Sequence, residues 1–387
     1  ITWAFESQMD SIAEKLKMDP LDIRLRNAFE TGDISQSGQV LKAVGVKECL
    51  RKAADQIGWN KQRKGDNRGV GIACMHKWQA THPSHAVLKV NEDGTMDLMV
   101  GSVEIGQGCD TIFSQIVAEE LEVPIDSIKV AARDTEYTPY CTATTGSGTT
   151  FSMGNAVMRA ARDIREQCLN LACYILNTTR DELVMDRGGI FIRSAPERVL
   201  TFGQLSRSAL HSPDGQLIGK GAYSRAMKPF DPEIGQGWET VWQYAAQAVE
   251  VEVDPKTGLV TVLRVAAAHD VGKAINITGC QGQIEGGVVM GLGYSLWEDM
   301  LREEGKILYP NLTRYKIATA VDIPEVCPII VEEAHDEGPY GAKGLGEPVL
   351  APTAAAIGNA IYNAVGVRVK TLPLTPERVL AAIKGVK

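Results

Sequence analysis

Two hairpin patterns, far apart in the chain, constrain the possible folds most strongly. In the first, residues 85–90 and 95–103 flank the turn Asn91-Glu92-Asp93-Gly94. In the second, residues 241–253 and 259–268 flank Asp254-Pro255-Lys256-Thr257-Gly258. Alternating or continuously apolar residues on either side of a polar turn that ends in glycine are typical of antiparallel β-hairpins. The sequence therefore predicts two separate β-hairpins.

Helical spacing of apolar residues follows each hairpin. After the first it covers 110–122 and, beyond a short predicted strand at 128–132, a long stretch over 152–177. After the second it covers 280–297. The uncharged segment 348–367 has nearly the length of a membrane span, but its prolines, asparagines, threonine and tyrosine favour a buried helix. The repeated pattern predicts an α+β fold built from two similar mixed α/β lobes.

The first part of the chain has helical patterns only. Helices are predicted near 20–25 and 46–57, and an earlier amphipathic helix has one apolar face formed by Phe5, Met9, Ile12, Ala13 and Leu16. The polar run 61–68 is predicted to be a linker. We therefore expect three units, namely a helical tail of a preceding domain at 1–66, a first lobe at 67–235 and a second lobe at 236–387.

Composition narrows the range of partners. The 387-residue chain has a net charge of −8 and an isoelectric point near 5.4, which argues against nucleic acid or an anionic membrane surface as the main partner. A small molecule or another protein fits better. The eight cysteines form no CxxC pair and no cluster with zinc or iron–sulfur spacing. Reduced thiols in a cytoplasmic protein without a membrane span are expected.

Four glycine-rich loops carry polar groups near the starts of predicted helices. Gly106-Gln107-Gly108 and the Thr/Ser/Gly run at 144–150 precede the first two helices after the first hairpin. The other two loops cover 279–287 and 341–348. The first backbone N–H groups of a helix lack partners within it, so such loops can bind an anion or a polar ring edge. Ordinary turn chemistry is the alternative for each loop taken alone.

Glu347 is the first candidate for a catalytic base. It stands on the turn Gly341-Ala342-Lys343-Gly344-Leu345-Gly346-Glu347-Pro348, directly before the uncharged segment. A carboxylate backed by apolar chain is desolvated, so we expect its pKa to rise toward the working pH. A single glutamate before a helix is more often a solvated cap, and this alternative stays open at this point.

Taken together, the motifs occur in the order found in a known enzyme family. They are Gly106-Gln107-Gly108, the Thr/Ser/Gly loop with Gly154-Asn155-Ala156, His269-Asp270-Val271-Gly272, Gln283-Ile284-Glu285-Gly286 and Lys343-Gly344-Leu345-Gly346-Glu347-Pro348. This order resembles the molybdenum-binding subunit of xanthine oxidase-type hydroxylases, in the C-terminal half of that subunit. The segment Phe5 to Asn27 is also similar, so the resemblance covers essentially the whole chain.

The resemblance implies a molybdopterin cofactor between the lobes, as the cytosine dinucleotide in a bacterial source. Glu347 matches the active-site glutamate, which acts as the base. No side chain is expected to ligate molybdenum, because the dithiolene of the pterin does so. His269 and Asp270 are expected to have structural or supporting roles. The residues expected to contact the cofactor are Gly106, Gln107, Gly108, Thr145, Gly146, Ser147, Gly148, Thr149, Thr150, Gln281, Gln283, Glu285, Lys343, Gly344 and Gly346.

The resemblance also implies partner chains. In single-chain relatives, roughly the first half of the subunit precedes the segment that corresponds to Ile1, so we expect a separate chain to carry it, as in the split subunits of nicotinate dehydrogenase-like enzymes. Iron–sulfur and FAD subunits would carry electrons onward. The expected reaction is hydroxylation of an N-heteroaromatic, purine or aldehyde-type substrate with oxygen from water. The alternatives are a 4-hydroxybenzoyl-CoA reductase-like or CO dehydrogenase-like relative, and a non-catalytic scaffold subunit.

Overall fold

The computed structural model describes residues 1–60, 66–131, 133–186, 188–213, 215–225, 231, 233 and 240–385. Within these residues the α-helices are α1 Thr2–Leu16, α2 Pro20–Asn27, α3 Val46–Ile57, α4 Cys109–Leu121, α5 Thr149–Leu176, α6 Phe202–Ala209, α7 Ile277–Leu296, α8 Thr353–Val365 and α9 Pro376–Ile383. The strands are β1 Arg68–Gln79, β2 Ser84–Val90, β3 Met96–Val100, β4 Ile128–Val130, β5 Leu183–Asp186, β6 Gly189–Ile192, β7 Ala195–Thr201, β8 Ile218–Tyr223, β9 Val241–Val253, β10 Val260–Asp270, β11 Arg302–Glu303, β12 Lys306–Ile307 and β13 Glu325–Val331.

Both predicted hairpins are present, and the two lobes built on them share one topology. In the first lobe β2 and β3 pair antiparallel, α4 follows, and β4 pairs parallel with β3. In the second, β9 and β10 pair antiparallel, α7 follows, and β13 pairs parallel with β10. The two four-stranded sheets have the orders β4-β3-β2-β8 and β13-β10-β9-β1. The prediction of an α+β fold with two similar lobes is confirmed.

The helices of the two lobes also correspond. α5 packs on β2 and β8 and against α4, while α8 packs on β1 and β9 and against α7. The second sheet is covered on both faces, because α3 and its apolar residues lie on the face opposite to α7 and α8. This double covering explains why β9 is buried along almost its whole length. A three-stranded sheet, β5-β6-β7, is added to the first lobe.

β1 was not predicted as a strand, and its pairing crosses the predicted domain boundary. It lies in the segment assigned to the first lobe, yet it pairs antiparallel with β9 of the second sheet over its full length, from Arg68↔Glu252 to Gln79↔Val241. The first lobe is therefore inserted between two neighbouring strands of the second. The predicted boundary at 235/236 and most of the predicted linker 61–68 lie outside the described residues.

Other predicted bounds differ by a few residues. The strand predicted at 95–103 is shorter, as β3, and the predicted helix at 348–367 begins only at Thr353. Pro348 and Pro352 account for the later start, since proline fits the first turn of a helix but not its interior. In the described part of the chain, no helix combines the length and apolar character needed to cross a membrane.

The predicted apolar face of α1 is buried only in part. Ala13 is buried, but Phe5 and Leu16 are exposed, and the charged residues Glu6 and Asp10 are buried instead. The charged face turns inward because the Arg24 guanidinium of α2 pairs with Glu6 at 2.7 Å and Asp10 at 2.8 Å. A buried charge requires such partners. This pairing overrides the pattern read from apolar residues alone.

A second buried ion pair fastens the loop before α3 to the second lobe. Lys343 Nζ lies 2.6 Å from Asp270 Oδ2, and neither side chain is exposed. Lys343 also donates to the Ala43 carbonyl at 2.5 Å, and Asp270 accepts from the Gly45 amide at 3.1 Å. Burial raises the pKa of the Asp270 carboxyl, and the Lys343 charge opposes that shift. These contacts join the helical N-terminal segment to the end of β10.

We predict that Lys343→Met lowers the free energy of unfolding by about 3–5 kcal/mol, because it leaves the Asp270 carboxylate buried without a counter-ion. Denaturant unfolding of the variant measures the loss. The double variant Lys343→Met/Asp270→Asn should lose less than the sum of the two single variants, because the buried charge is then gone. Strictly additive losses would show that the pair has no coupling.

Candidate functional site

The site is built where the loop before α5 meets the loop before α8. Gly344 lies against the backbone of Ser147 so closely that a Cβ on Gly344 would overlap the Ser147 carbonyl oxygen. A Cβ on Gly346 would lie 2.9 Å from Ser147 Oγ. Only glycine allows two backbones to approach in this way. The two lobes therefore touch at Ser147 and at the turn that carries Glu347.

Two buried glutamines hold these loops together. Gln79, at the end of β1, accepts the Gly344 amide at 2.6 Å and the Gln243 side-chain amide at 3.1 Å. Gln243 Nε2 also donates to the carbonyls of Gly344 at 2.5 Å and Ser147 at 3.3 Å. Both glutamine side chains are fully buried. Gln243 bonds to both loops, and Gln79 bonds to Gly344 and to Gln243, so the two side chains together fix the relative position of the loops.

Glu347 has two hydrogen-bond donors on one carboxylate oxygen. Ser147 Oγ donates to Glu347 Oε2 at 2.8 Å and accepts the Glu347 amide at 2.9 Å. Lys77 Nζ, from β1, lies 2.6 Å from the same Oε2. The Glu347 side chain is about half exposed, at 52%. The carboxylate is thus held in one direction and faces open space.

The predicted rise in the pKa of Glu347 is wrong for this structure. Partial burial does raise the pKa of its carboxyl, but the bonds from Lys77 and Ser147 and the Lys77 charge outweigh it. The net pKa lies below the ordinary glutamate value. Stabilisation of the ionised form by donors and a nearby cation is the physical cause. Glu347 is therefore an ionised proton acceptor at neutral pH.

The loop at 144–150 leads directly into α5. Gly148 is its N-cap, and a Cβ there would overlap the Ala80 carbonyl oxygen. Ser147 adopts a left-handed backbone conformation, with φ of 56°, which turns the chain toward the second lobe. Thr149 and Thr150 form the first turn and are half-buried, while Thr145 is exposed and Gly146 is buried. The predicted loop therefore lies beside Glu347, at the N-terminus of a 28-residue helix.

The predicted Gly106-Gln107-Gly108 loop closes on itself. The Glu104 carboxylate accepts the amides of Gly106 at 2.8 Å and Gly108 at 2.9 Å. The Gln107 side chain bonds to the backbone of Ile105 and Val103 at 2.7 and 2.9 Å. The expectation of free amides at this helix start therefore differs from the structure, because the Glu104 carboxylate accepts them.

Glu104, Cys109 and Asp110 lie close enough together to be considered as metal ligands. Both carboxylates already have partners, since Glu104 accepts backbone amides and Asp110 forms a two-bond pair with Arg133. Burial raises the pKa of the Cys109 thiol, so it stays protonated. This group supports a structural role for the loop.

The predicted loop at 279–287 is wrong, because these residues lie inside α7, which begins at Ile277. Its predicted site residues divide between two faces of that helix. Gln281 and Glu285 are exposed, and a Cβ at Gly282 or Gly286 would meet nothing within 4 Å. Gln283 instead donates to the Leu345 carbonyl at 2.9 Å, so it supports the turn of Glu347. α7 thus has one exposed polar face without obstructing side chains, and its Gln283 side chain supports the turn that carries Glu347.

Two other predicted residues lie inside the protein. The Lys343 ammonium is directed at Asp270 and Ala43, away from any open surface, so the expectation that it contacts a cofactor differs from the structure. His269 is fully buried without a hydrogen-bond partner among the described residues, and burial lowers its pKa to about 3. A neutral, structural His269 agrees with its expected supporting role.

Sequence reasoning missed Lys77, Gln79 and Gln243. Their signal was their place in the strands. Burial alternates toward the end of β1, and Gln243 is one of the polar residues within the buried strand β9. A polar residue in such a strand requires a hydrogen-bond partner nearby. Recognition of β1 as a partner of β9 would have brought all three residues beside the Glu347 turn.

Comparison with known proteins agrees with this architecture. The family model described as "Molybdopterin cofactor-binding domain" matches residues 40–324, which is more than half of the chain. The chain belongs to the molybdopterin cofactor-binding domain family. The resemblance drawn from the ordered motifs is thereby confirmed, although Glu347 lies beyond the residues that the model matches.

Members of this family align along the whole chain. The xanthine dehydrogenase molybdenum-binding subunit of Escherichia coli O157:H7 is 34% identical over 397 aligned residues, covering 98% of this chain and 51% of that protein. The nicotine 6-hydroxylase large subunit of Paenarthrobacter nicotinovorans is 29% identical and covers 100% of this chain and 50% of that protein. The chain therefore spans about half the length of these curated relatives.

The fold is also that of a solved structure. Quinoline 2-oxidoreductase from Pseudomonas putida 86 superposes with a TM-score of 0.87 at 24% identity, covering 99% of this chain and 52% of that chain. At this identity the comparison supports the fold alone. The mixed sheets and flanking helices described above are thus also the fold of that protein.

We predict that Gly344→Ala destabilises the protein by about 1–3 kcal/mol, because the added methyl group must push the Ser147 loop away. Denaturant unfolding measures this loss. Gly282→Ala is the matched control, since its methyl group enters open space on α7 and should be neutral or stabilise by up to about 1 kcal/mol. Equal effects of the two substitutions would contradict the close contact of the loops.

Proposed function

We propose that this chain forms the base-bearing part of the molybdenum subunit of a hydroxylase, acting on N-heteroaromatic, purine or aldehyde-type substrates with oxygen from water. The observation that carries the proposal is the Glu347 carboxylate, which is fixed by Ser147 and Lys77 and half exposed where the two lobes meet. Membership of the molybdopterin cofactor-binding domain family supports it. Relatives named as xanthine dehydrogenase and nicotine hydroxylase subunits support the substrate class.

The residues present fit a molybdopterin between the lobes. Among the described residues no side chain caps the N-terminus of α5, so its first backbone N–H groups and the hydroxyls of Thr149 and Thr150 beside Glu347 suit an anionic pyrophosphate. On α7, Gln281 and the bare positions Gly282 and Gly286 leave room for a flat ring system. We infer the cytosine dinucleotide form, which the resemblance to the molybdenum-binding subunit implies for a bacterial source and which the bacterial relatives support.

Within that site the cofactor would supply a redox metal that accepts electrons from the substrate. Glu347 would take up a proton at its carboxylate from the oxygen nucleophile. Ser147 would keep Oε2 in place, because its hydroxyl donates to that oxygen at 2.8 Å. Lys77 would keep the carboxylate ionised before the reaction. Gln79 and Gln243 would hold both loops fixed while the proton moves. General-base help of this kind typically contributes about 10²–10⁴ in rate.

The complete enzyme needs more than this chain. Because the matched relatives are about twice as long, we propose that the rest of the molybdenum subunit completes the substrate pocket. Iron–sulfur and FAD subunits would carry the electrons onward. We propose that this chain contributes three units to the enzyme, at 1–66, 67–235 and 236–387, with β1 paired into the sheet of the unit at 236–387. All eight cysteines are free thiols, which supports a reducing, cytoplasmic setting.

We predict that Glu347→Gln in the native complex retains molybdenum and pterin but lowers kcat by about 10²–10⁴. The amide keeps the shape of the side chain but cannot take up a proton. Metal analysis and steady-state hydroxylation assays on the same preparation test this. Glu303→Gln, at an exposed position on β11, is the control and should leave the rate unchanged. A fully active, metal-loaded Glu347→Gln enzyme would refute the base assignment.

A further inference from the structure

Lys77 places a positive charge directly beside the proposed base. Its Nζ lies 2.6 Å from Glu347 Oε2 and 3.0 Å from the Trp78 carbonyl oxygen. An ammonium group has three N–H donors. Among the described residues these two acceptors occupy two of them. The third has no hydrogen-bond acceptor among them, although the centroid of the Trp78 ring lies 4.8 Å from Nζ. This third N–H is the donor that a ligand entering beside Glu347 can engage.

The position of Lys77 in β1 directs it to the site. Side chains alternate across a strand, so Lys77 and Gln79 share a face, and Gln79 on that face contacts Gly344. Lys77 stands opposite Gln243 in the pairing of β1 with β9. The sheet thus presents the ammonium at the level of the turn that carries Glu347. Its location depends on rigid strands more than on a mobile loop.

Comparison with Lys343 shows that the Lys77 pair is of a different kind. Lys343 and Asp270 are fully enclosed, and their charges are satisfied by one another and by backbone groups. Lys77 is 18% exposed, and its partner Glu347 is 52% exposed. A ligand can therefore reach the Lys77 pair directly, whereas the Lys343 pair is sealed in the protein.

The charge balance at the site gives Lys77 a selective effect. An ionised base repels an anionic substrate that approaches within a few ångströms, especially when water is excluded. A cation between the two carboxylates offsets that repulsion and adds a charge-assisted hydrogen bond. A neutral substrate gains no comparable bond. The Lys77–Glu347 pair has no net charge, so the bond from the ammonium is what distinguishes a substrate with a negative group near the reacting ring from a neutral one.

We propose that Lys77 is a specificity-determining residue that binds the carboxylate of a planar heteroaromatic acid through its remaining N–H donor while staying paired with Glu347. This inference rests on the proposed function and narrows its substrate class from heteroaromatic compounds in general to heteroaromatic acids. The carboxylate of the substrate anchors the ring, and Glu347 remains free on its open side to accept a proton.

The test measures binding to the native complex of three acids, pyridine-3-carboxylate, pyrazine-2-carboxylate and quinoline-4-carboxylate, and of their neutral carboxamides. Calorimetric titration gives the dissociation constants. The wild type should bind at least one acid more tightly than its amide. Lys77→Met should weaken that acid by about 10- to 100-fold, the range expected for one charge-assisted bond, and leave the amide nearly unchanged.

Two further variants separate this role from a structural one. Lys77→Arg keeps the charge and should retain much of the preference for the acid. Lys52→Met removes a lysine from an exposed pair with Glu48 on α3 and should change neither constant. A wild type that prefers none of the acids, or a Lys77→Met variant that weakens acid and amide equally, would overturn the assignment of Lys77.

Failure of this inference is distinguishable from failure of the proposed function. A complex that contains molybdenum and pterin and hydroxylates a heterocycle, yet shows no effect of Lys77→Met on the acid-to-amide ratio, would refute only the role of Lys77. A complex without molybdenum and pterin would refute the proposed function itself. Metal analysis of the same preparation decides between the two.

Discussion

The contact between the Ser147 backbone and Gly344 is the constraint on which the site depends. It brings the loop before α5 to the loop before α8 at a distance that no side chain at Gly344 would allow. Gln79 and Gln243 then saturate the backbone groups that this approach would otherwise leave buried without partners. Ser147 can orient Glu347 only because this contact has been made. A small change in packing at Gly344 would therefore shift the Glu347 carboxylate.

Much of the fold could be predicted from local patterns. The turns Asn91–Gly94 and Asp254–Gly258 indicated both hairpins, since turn residues and the alternation of apolar and polar residues are properties of neighbouring positions. The order of the motifs then led to the family. β1 and its partnership with β9 could not be found in this way, because the two strands are separated by the whole first lobe. Pairing across such a distance leaves no periodic trace in either segment.

The site was predicted less completely, and the reason is electrostatic. Glu347 and Ser147 were identified from their loops, but the pKa of Glu347 was expected to rise because the sequence shows its apolar neighbours and not Lys77. Lys343 was expected at the cofactor because it stands in the motif, yet Asp270 directs it inward. Both errors concern which charges meet in space. Local sequence gives the charge of a residue but not its partner.

The insertion of the first lobe between β1 and β9 has a mechanical consequence. The chain leaves the second sheet after Gln79 and re-enters it at Val241, and these two residues are paired neighbours. The first lobe is therefore joined covalently to the second at one place, and Gln79 there also bonds to the Gly344 turn. Further contacts brace the lobes away from this junction, such as the Tyr340 hydroxyl donating to Glu120 at 2.8 Å and the Asn155 amide donating to the Glu337 carbonyl at 2.9 Å. The reacting groups thus lie beside the junction, where any relative movement of the lobes would displace atoms least.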